Sequence, residues 1–430
     1  MFQTFENPSN PETGPPRLSD LRAAMAQDGI DAFIVPRADA HQGEYVAPRD
    51  DRLAWLTGFT GSAGLAVVSA SEAGVFIDGR YKVQVRSQVS LDHFTPVDWP
   101  KTQPGAWLAE RLQAGAKVGF DPWLHTMDEV EKLRKALPEA DVSPVPNLID
   151  RIWTDQPAAP KGKVMRHPDD LAGETSASKR QRLGKALSGA GDSAVILTLP
   201  DSICWLLNIR GADISRNPVV HAFAILHADG QVALFIDRDK LTDAPLEPSI
   251  DVHAPGDFAT AIAALNGPVR IDRKSTPFAV SRILGEAEVK ITWGDDPCIL
   301  PKAKKNPTEI ASTREAHLRD GAAMVEFLAW LDGNAQSGLT EIDVARKLEG
   351  FRRTTNALQD ISFDSIVGSG PHGAIVHYRV NADTNLTLAD GELLLVDSGG
   401  QYVDGTTDIT RTVPIGAPRA EHRHAFTRVL

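Results

Sequence analysis

The sequence repeats itself once, and this repeat limits the folds that the chain can adopt. The matching segments are 31–36 with 193–200, 53–58 with 203–208, and 75–80 with 234–238. The tryptophans Trp55 and Trp205 are offset by 205 − 55 = 150 residues, and Asp78 and Asp237 by 237 − 78 = 159 residues, so a short insertion lies between them. This period is far longer than the roughly 20–50 residues of a solenoid repeat. The pattern therefore predicts two copies of one α/β domain.

Length and composition narrow the class of protein. The 430 residues correspond to about three domains at the usual ~150 residues each. The net charge of −12 argues against a nucleic-acid partner, and two cysteines cannot build a disulfide framework. No apolar run approaches the ~20 residues of a membrane span, and the first thirty residues lack a signal-peptide pattern. We expect a cytoplasmic globular protein with no membrane or nucleic-acid partner.

The N-terminal region predicts an arm followed by α/β structure. The first fifteen or so residues carry four prolines, which predict a flexible arm. Ser19 is an expected N-cap for a helix over 20–27. Strands are expected at 32–35, 65–68 and 74–77. A stretch rich in proline and charge, 154–179, is expected to be a linker between domains.

The region after residue 305 has a different texture. Asn306 as N-cap, Pro307 at the first helical position and Glu309 three residues after the cap predict a helix start. Apolar residues then recur at helical spacing, and a second helix is expected near Thr340. Strands are expected at 364–367, 374–377, 393–396 and 406–413. The region is predicted to be α+β.

One apolar strand of this region ends in a carboxylate. Asp397 closes the run Leu393–Val396, and glycines at 399, 400 and 405 allow the chain to turn back. Asp408 follows Asp397 by 408 − 397 = 11 residues, so the two can meet on neighbouring strands. Converging carboxylates repel each other unless a cation neutralises them, and oxygen ligands suit hard divalent metals. The alternative is that Asp397 caps a turn while Asp404 and Asp408 are surface loop residues.

Several motifs together resemble one family. The motifs are Asp397-Ser-Gly, Asp404-Gly-Thr-Thr-Asp408-Ile-Thr-Arg-Thr, Gly368-Ser-Gly-Pro, Ile375-Val-His377-Tyr378, Asp39-Ala-His-Gln-Gly-Glu-Tyr, Gly58-Phe-Thr-Gly-Ser-Ala-Gly64, Asp78-Gly-Arg-Tyr81, Trp205-Leu-Leu-Asn-Ile-Arg-Gly211 and Asn217-Pro218. With these motifs the chain resembles the metal-dependent Xaa-Pro aminopeptidases (aminopeptidase P), which belong to the pita-bread peptidases with prolidase, methionine aminopeptidase and creatinase. They follow the family's order over nearly the whole chain.

The resemblance implies a fold and a domain plan. We expect an α/β and α+β multidomain protein in which two creatinase-N-terminal-like α/β domains precede a pita-bread catalytic domain. The expected boundaries are 17–153 for the first domain, 154–179 for the linker, 180–303 for the second domain and 304–430 for an incomplete catalytic domain.

The resemblance also implies roles for individual residues. Asp397 would hold one ion of a dinuclear Mn²⁺ site and Asp408 would bridge both ions. His377 would contact the substrate or shuttle a proton, and Arg80 would reach the catalytic cleft and bind substrate. The substrates would be peptides with proline at the second position, and the protein would be a homodimer. The alternatives are a core histidine for His377 and a surface ion pair for Arg80.

The chain departs from the family pattern in its metal ligands. The family uses two aspartates, a histidine in a glycine-rich segment and two glutamates, and only Asp397 and Asp408 are found here. We therefore expect the 430 residues to be a C-terminally truncated form that binds metal weakly and turns over poorly or not at all. A peptide-binding pseudoenzyme of the same fold is the competing class, and prolidase is the rival within the class. Thr410 and Arg411 are expected either to orient the carboxylates or to line a solvated strand face.

Overall fold

A computed structural model describes residues 1–242, 244 and 246–430. These residues form two compact units, which we call the duplicated unit (Ser9–Lys305) and the C-terminal unit (Met1–Pro8 with Asn306–Leu430). Within the described residues, no helix combines the length and the hydropathy that crossing a membrane requires.

The duplicated unit contains two six-stranded sheets of the same topology. The first sheet is built from β1 (Ala32–Pro36), β2 (Leu65–Ser69), β3 (Ala73–Ile77), β4 (Thr95–Asp98), β5 (Lys117–Phe120) and β6 (Asp141–Pro144). The next eight strands are β7 (Met165–Arg166), β8 (Ala194–Leu197), β9 (Ile209–Arg210), β10 (Phe223–His227), β11 (Val232–Phe235), β12 (Ile250–His253), β13 (Val269–Ile271) and β14 (Ile291–Trp293). The strand orders are β4-β3-β2-β1-β5-β6 and β12-β11-β10-β8-β13-β14. Numbered from its own first strand, each sheet has the same order, which confirms the predicted duplication.

Helices lie between the strands in both halves of the duplicated unit. They are α1 (Gly14–Gln27), α2 (Arg52–Thr57), α3 (Gln84–Gln88), α4 (Pro104–Ala109), α5 (Met127–Ala136), α6 (Leu148–Ile152), α7 (Asp169–Ala172), α8 (Ser176–Ala190), α9 (Pro200–Leu207), α10 (Phe258–Ala263), α11 (Phe278–Glu286) and α12 (Ile299–Ala303). Trp55 in α2 and Trp205 in α9 occupy corresponding helices. Asp78 and Asp237 each cap a 3₁₀ turn after the third strand of their sheet. The repeated residues are therefore repeated in structure.

The start of the chain is more ordered than its prolines predict. Gln3 is buried, its Nε2 donates to the carbonyl of Ser365 at 3.2 Å, and Ser365 N donates back to Gln3 Oε1 at 2.9 Å. Helix α1 begins at Gly14, not near Asp20, with prolines in its first turn, where their missing N–H groups cost no hydrogen bond. The expectation of a flexible arm was wrong. In the segment expected to be a linker, β7 pairs with β9.

The C-terminal unit contains two long helices and two small three-stranded sheets. Its elements are α13 (Pro307–Asn334), α14 (Glu341–Thr354), β15 (Asp360–Ile361), β16 (Ile366–Ser369), β17 (Leu393–Ser398), β18 (Gly400–Tyr402), β19 (Gly405–Thr406), β20 (Ile409–Pro414) and α15 (Ala420–Val429). Its two sheets have the orders β16-β17-β20 and β15-β18-β19. Its core combines apolar side chains of α13, α14, β16 and β17, among them Phe327, Leu348, Val367 and Val396.

The helix starts of this unit agree with the sequence, but two strand predictions do not. Asn306 accepts a hydrogen bond from Glu309 N and donates its own N–H to the Glu309 carboxylate, which confirms the predicted capping box. The strand expected at 374–377 is instead the end of a 3₁₀ helix, Gly370–Ala374, and a turn, because glycine and proline favour turns there. The strand expected at 406–413 is two strands, β19 and β20, separated by residues 407 and 408.

Candidate metal centre

The two aspartates singled out by the sequence lie side by side. Strands β17 and β20 run antiparallel, and their register places Asp397 opposite Thr410 and Ser398 opposite Ile409. Asp408 immediately precedes β20 and therefore lies beside Asp397 at the same end of the strand pair. Thr410 Oγ1 donates a 2.7 Å hydrogen bond to Asp397 Oδ1, which orients that carboxylate. The structure therefore brings the predicted pair together.

A glycine lets the chain fold back closely enough for this meeting. Gly399 follows β17, and a Cβ atom at this position would lie only 1.9 Å from the carbonyl oxygen of Thr407, the residue before Asp408. Ser362 Oγ donates to the same Thr407 oxygen at 2.9 Å, and Thr407 N donates to Gly400 O at 2.9 Å. The close backbone approach fixes the separation of the two carboxylates.

The electrostatics of the pair favour a bound cation. Desolvation raises the pKa of Asp408, and Asp397 raises it further through its negative charge and a hydrogen bond between the carboxyl groups. Arg352 partly offsets these effects. A divalent cation would relieve the repulsion, and carboxylate oxygens are ligands that hard divalent metals accept. The donor set thus fits a metal, although among the described residues no third His, Cys, Asp or Glu joins this pair within 4.8 Å.

A buried ion pair that the sequence analysis missed joins α13 and α14 of the same unit. The guanidinium of Arg352 donates to both oxygens of Asp320 at 2.7 and 3.1 Å, and both side chains are fully buried. Tyr402 in β18 adds a 2.6 Å hydrogen bond to Asp320 Oδ1. Burial would raise the pKa of Asp320, but the hydrogen bond and charge of Arg352 bring it below its usual value. In the sequence, the one sign of this ion pair is that an Asp and an Arg lie within stretches of helical pattern.

His377 lies in a turn held by another buried carboxylate. Its φ of 57° is in the left-handed region, which is uncommon for a non-glycine residue, and its side chain is half-buried. The turn is anchored on both sides by Glu341, a fully buried residue at the start of α14. The groups that donate to the Glu341 carboxylate are Ser369 N, His372 Nδ1, Tyr378 Oη and Leu386 N. Glu341 therefore positions the His377 turn, and His372 is one of its anchors.

The remaining predicted residues have local partners. Asp404 lies in the turn between β18 and β19, where Arg319 binds it through two hydrogen bonds of 3.1 and 2.8 Å and lowers its pKa. Arg411 is exposed and donates to the carbonyl of Thr410, so it does not orient a carboxylate.

Arg80 belongs to the duplicated unit. Its guanidinium donates to both oxygens of Asp78 at 3.0 and 2.7 Å and lies 5.1 Å from the centre of the Tyr81 ring. The hydrogen bond to Asp78 raises the pKa of Arg80. This local ion pair fixes the guanidinium next to its own turn, and the role of Arg80 in substrate binding stays a prediction.

Comparisons with known proteins match most of the chain. Residues 17–152 and 155–309 match models of the creatinase/prolidase N-terminal domain, and residues 311–430 match metallopeptidase family M24. The chain therefore carries two creatinase/prolidase N-terminal domains followed by a segment of metallopeptidase family M24.

Individual relatives show to which kind of M24 metallopeptidase the chain is similar. The chain is 36% identical to aminopeptidase P2 of Arabidopsis thaliana over 96% of its own length and 64% of that protein. It is 37% identical to a probable Xaa-Pro aminopeptidase P of Coccidioides posadasii, over 96% of its own length and 67% of that protein. A solved X-prolyl aminopeptidase from Caenorhabditis elegans, described as a cytosolic enzyme with a di-nuclear active site, matches with a TM-score of 0.89 at 32% identity, over 95% of this chain and 71% of that one.

The chain spans about two thirds of the length of these curated relatives. It belongs to the Xaa-Pro aminopeptidase P family of metallopeptidases.

Proposed function

We propose that the protein is a metal-dependent aminopeptidase that releases an N-terminal residue preceding proline. The observation that carries the proposal is the convergence of Asp397 and Asp408 at one end of β17 and β20, in a chain of the Xaa-Pro aminopeptidase P family. The di-nuclear active site of the Caenorhabditis elegans neighbour supports a two-ion centre. Peptides with proline at the second position are the proposed substrates.

The proposed mechanism gives each residue a limited task. Asp397 and Asp408 hold two divalent ions, for which we propose Mn²⁺. When bound, such ions polarise the scissile carbonyl as Lewis acids and supply a nucleophile at neutral pH. Thr410 keeps Asp397 oriented through its hydroxyl hydrogen bond. His377, held by its left-handed turn, donates a hydrogen bond to the substrate or moves a proton at its imidazole.

Further parts of the proposal concern the whole protein. We propose a cytoplasmic homodimer in which Arg80 contributes to substrate binding. The proposed boundaries are 17–153, a linker at 154–179, 180–303 and 304–430 for the catalytic domain. The cytosolic neighbour and the two buried, unpaired cysteines, Cys204 and Cys298, support a reducing compartment.

Metal binding by the 430 residues is the first test. Only two of the five ligands that the family resemblance implies lie in this sequence, so we expect weak Mn²⁺ binding. Titration calorimetry with MnCl₂ should show it in the native chain, and Asp408→Asn should abolish it. Asp404→Asn is the matched control, because Asp404 lies in the same strand region but is bound by Arg319. Equal Mn²⁺ binding by both variants would show that Asp408 is not a metal ligand.

Catalysis is tested with a chimera. The 430 residues are fused to the segment of the Caenorhabditis elegans enzyme that lies beyond the match, and release of the first residue from Xaa-Pro-Xaa and Xaa-Ala-Xaa peptides is measured with Mn²⁺. We expect cleavage of the proline peptide alone, lost in Asp397→Asn and retained in Asp404→Asn. Cleavage of both peptides at one rate would refute proline specificity. Peptide binding without cleavage would favour the pseudoenzyme.

A further inference from the structure

A second group of potential metal ligands lies in the duplicated unit. Asp39 follows β1, Asp50 ends a 3₁₀ turn before α2, and His221 precedes β10 of the second sheet. Each offers one ligand atom, and the three atoms lie within 4.8 Å of one another. Among the described residues, this is the one such group of three His, Cys, Asp or Glu side chains. It draws its members from both halves of the duplication.

The carboxylate of Asp39 is the strongest indication of a ligand. Its side chain is only 2% exposed. Its Oδ1 accepts a hydrogen bond from His41 N at 2.8 Å, while its Oδ2 accepts none from the described residues. That orphaned oxygen lies 3.3 Å from His221 Nε2, inside the group. A buried carboxylate oxygen normally has a hydrogen bond, a cation or a metal.

Neighbouring side chains do not replace the missing cation. Arg52 binds Asp50 Oδ1 at 3.0 Å and also pairs with Asp150, so its charge is directed away from Asp39. Within the described part of the chain, no lysine or arginine forms an ion pair with Asp39.

Neighbouring groups hold His221 in place. His221 N donates to Asp213 Oδ2 at 2.7 Å, and Lys240 Nζ donates to the same oxygen at 2.7 Å. The ring of His41 lies 4.3 Å from the ring of His221, and its Nδ1 donates to the carbonyl of Thr198 at 3.1 Å. The backbone and the ring of His221 are therefore both held by packed neighbours.

We propose that Asp39, Asp50 and His221 are the three protein ligands of a zinc site that joins the two halves of the duplicated unit. Zinc takes imidazole nitrogen and carboxylate oxygen at about 2.0–2.2 Å, which places ligand atoms of a tetrahedral site roughly 3.3–3.6 Å apart. The separation of Asp39 Oδ2 and His221 Nε2, 3.3 Å, already has this value. The imidazole favours zinc over magnesium or calcium, which prefer oxygen. The site is independent of Asp397 and Asp408.

The test measures zinc directly. The full chain carrying Asp397→Asn and Asp408→Asn, which removes the other carboxylate pair, is stripped with a chelator, equilibrated with micromolar ZnCl₂ and analysed by mass spectrometry for zinc per chain. We expect one zinc ion per chain. His221→Ala should weaken zinc binding by more than the roughly 100-fold that loss of an outer hydrogen-bond partner of a ligand can cost.

Two further variants separate loss of the ligand from loss of the fold. Asp39→Asn keeps the acceptor for His41 N while removing the charge, and it should also lose zinc. His253→Ala is the matched control, because His253 forms a similar pair with Asp251, 2.9 Å apart, on the surface of the same unit. Zinc should raise the melting temperature of the His253 variant but not that of the Asp39 variant. Absence of zinc in the starting protein, or equal zinc in all variants, would overturn the proposal.

Discussion

Gly399→Ala tests whether close backbone approach positions the carboxylate pair. An added Cβ would lie 1.9 Å from the Thr407 carbonyl oxygen and 2.2 Å from Ser362 Oγ. The Ser362 hydroxyl can rotate, but the Thr407 carbonyl is backbone, and the N–H of the same residue is held by its 2.9 Å hydrogen bond to Gly400 O. The chain after β17 must therefore move away from the chain before β20, and Asp397 must separate from Asp408.

The size of the effect follows from the contact. Non-bonded heavy atoms settle at about 3.5 Å, so a 1.9 Å contact demands a shift of roughly 1.5 Å. Overpacking of this kind costs about 1–3 kcal/mol. If exchange proceeds through opening of this strand pair, its amides should exchange about 5- to 160-fold faster in the variant, since exchange follows the opening free energy.

Native-state hydrogen exchange with mass spectrometry measures the amide exchange rates of β17 and β20 on peptides covering 393–414. Gly350→Ala is the matched control: Gly350 is exposed within α14, and its added Cβ would meet nothing within 4 Å. Alanine should stabilise that helix by about 0.5–1 kcal/mol relative to glycine. Exchange of β17 and β20 at the native rate in the Gly399 variant would refute the reasoning. So would equal acceleration in both variants.

Three further results are expected. Because the folded chain raises the pKa of Asp408, it binds protons more readily than the unfolded chain, so the metal-free free energy of unfolding should fall as pH rises from the ordinary Asp range through the raised pKa. Asp408→Asn, compared by melting at several pH values, should lose this dependence, and an unchanged profile would contradict it. Asp320→Asn leaves the buried Arg352 charge unpaired and should cost about 3–5 kcal/mol in urea denaturation; a loss below 1 kcal/mol would count against the ion pair. Burial raises the pKa of Cys204 to about 11, so thiol reagents at pH 8 should label it only after unfolding.

Local sequence rules predicted the structural features that depend only on residues close together in the chain. The capping box at Asn306 needs only residues within one helical turn, and the structure contains it. The glycines after β17 and the 11-residue spacing placed Asp397 beside Asp408 because antiparallel neighbours joined by short turns keep a fixed register. The prediction of a strand at 374–377 was wrong because the apolar residues there belong to a turn around His377. The buried carboxylate of Glu341 anchors this turn.

The sequence by itself determined the duplication, the order of the three regions and the identity of the paired aspartates, since each depends on motifs that can be read along the chain. Only the tertiary structure decided which distant residues share a buried environment. The groups that donate hydrogen bonds to the Glu341 carboxylate lie 28 to 45 residues away along the chain. Asp39 and His221 meet from opposite halves of the duplicated unit. Burial makes an unpaired charge costly, and burial is a property of the packed chain.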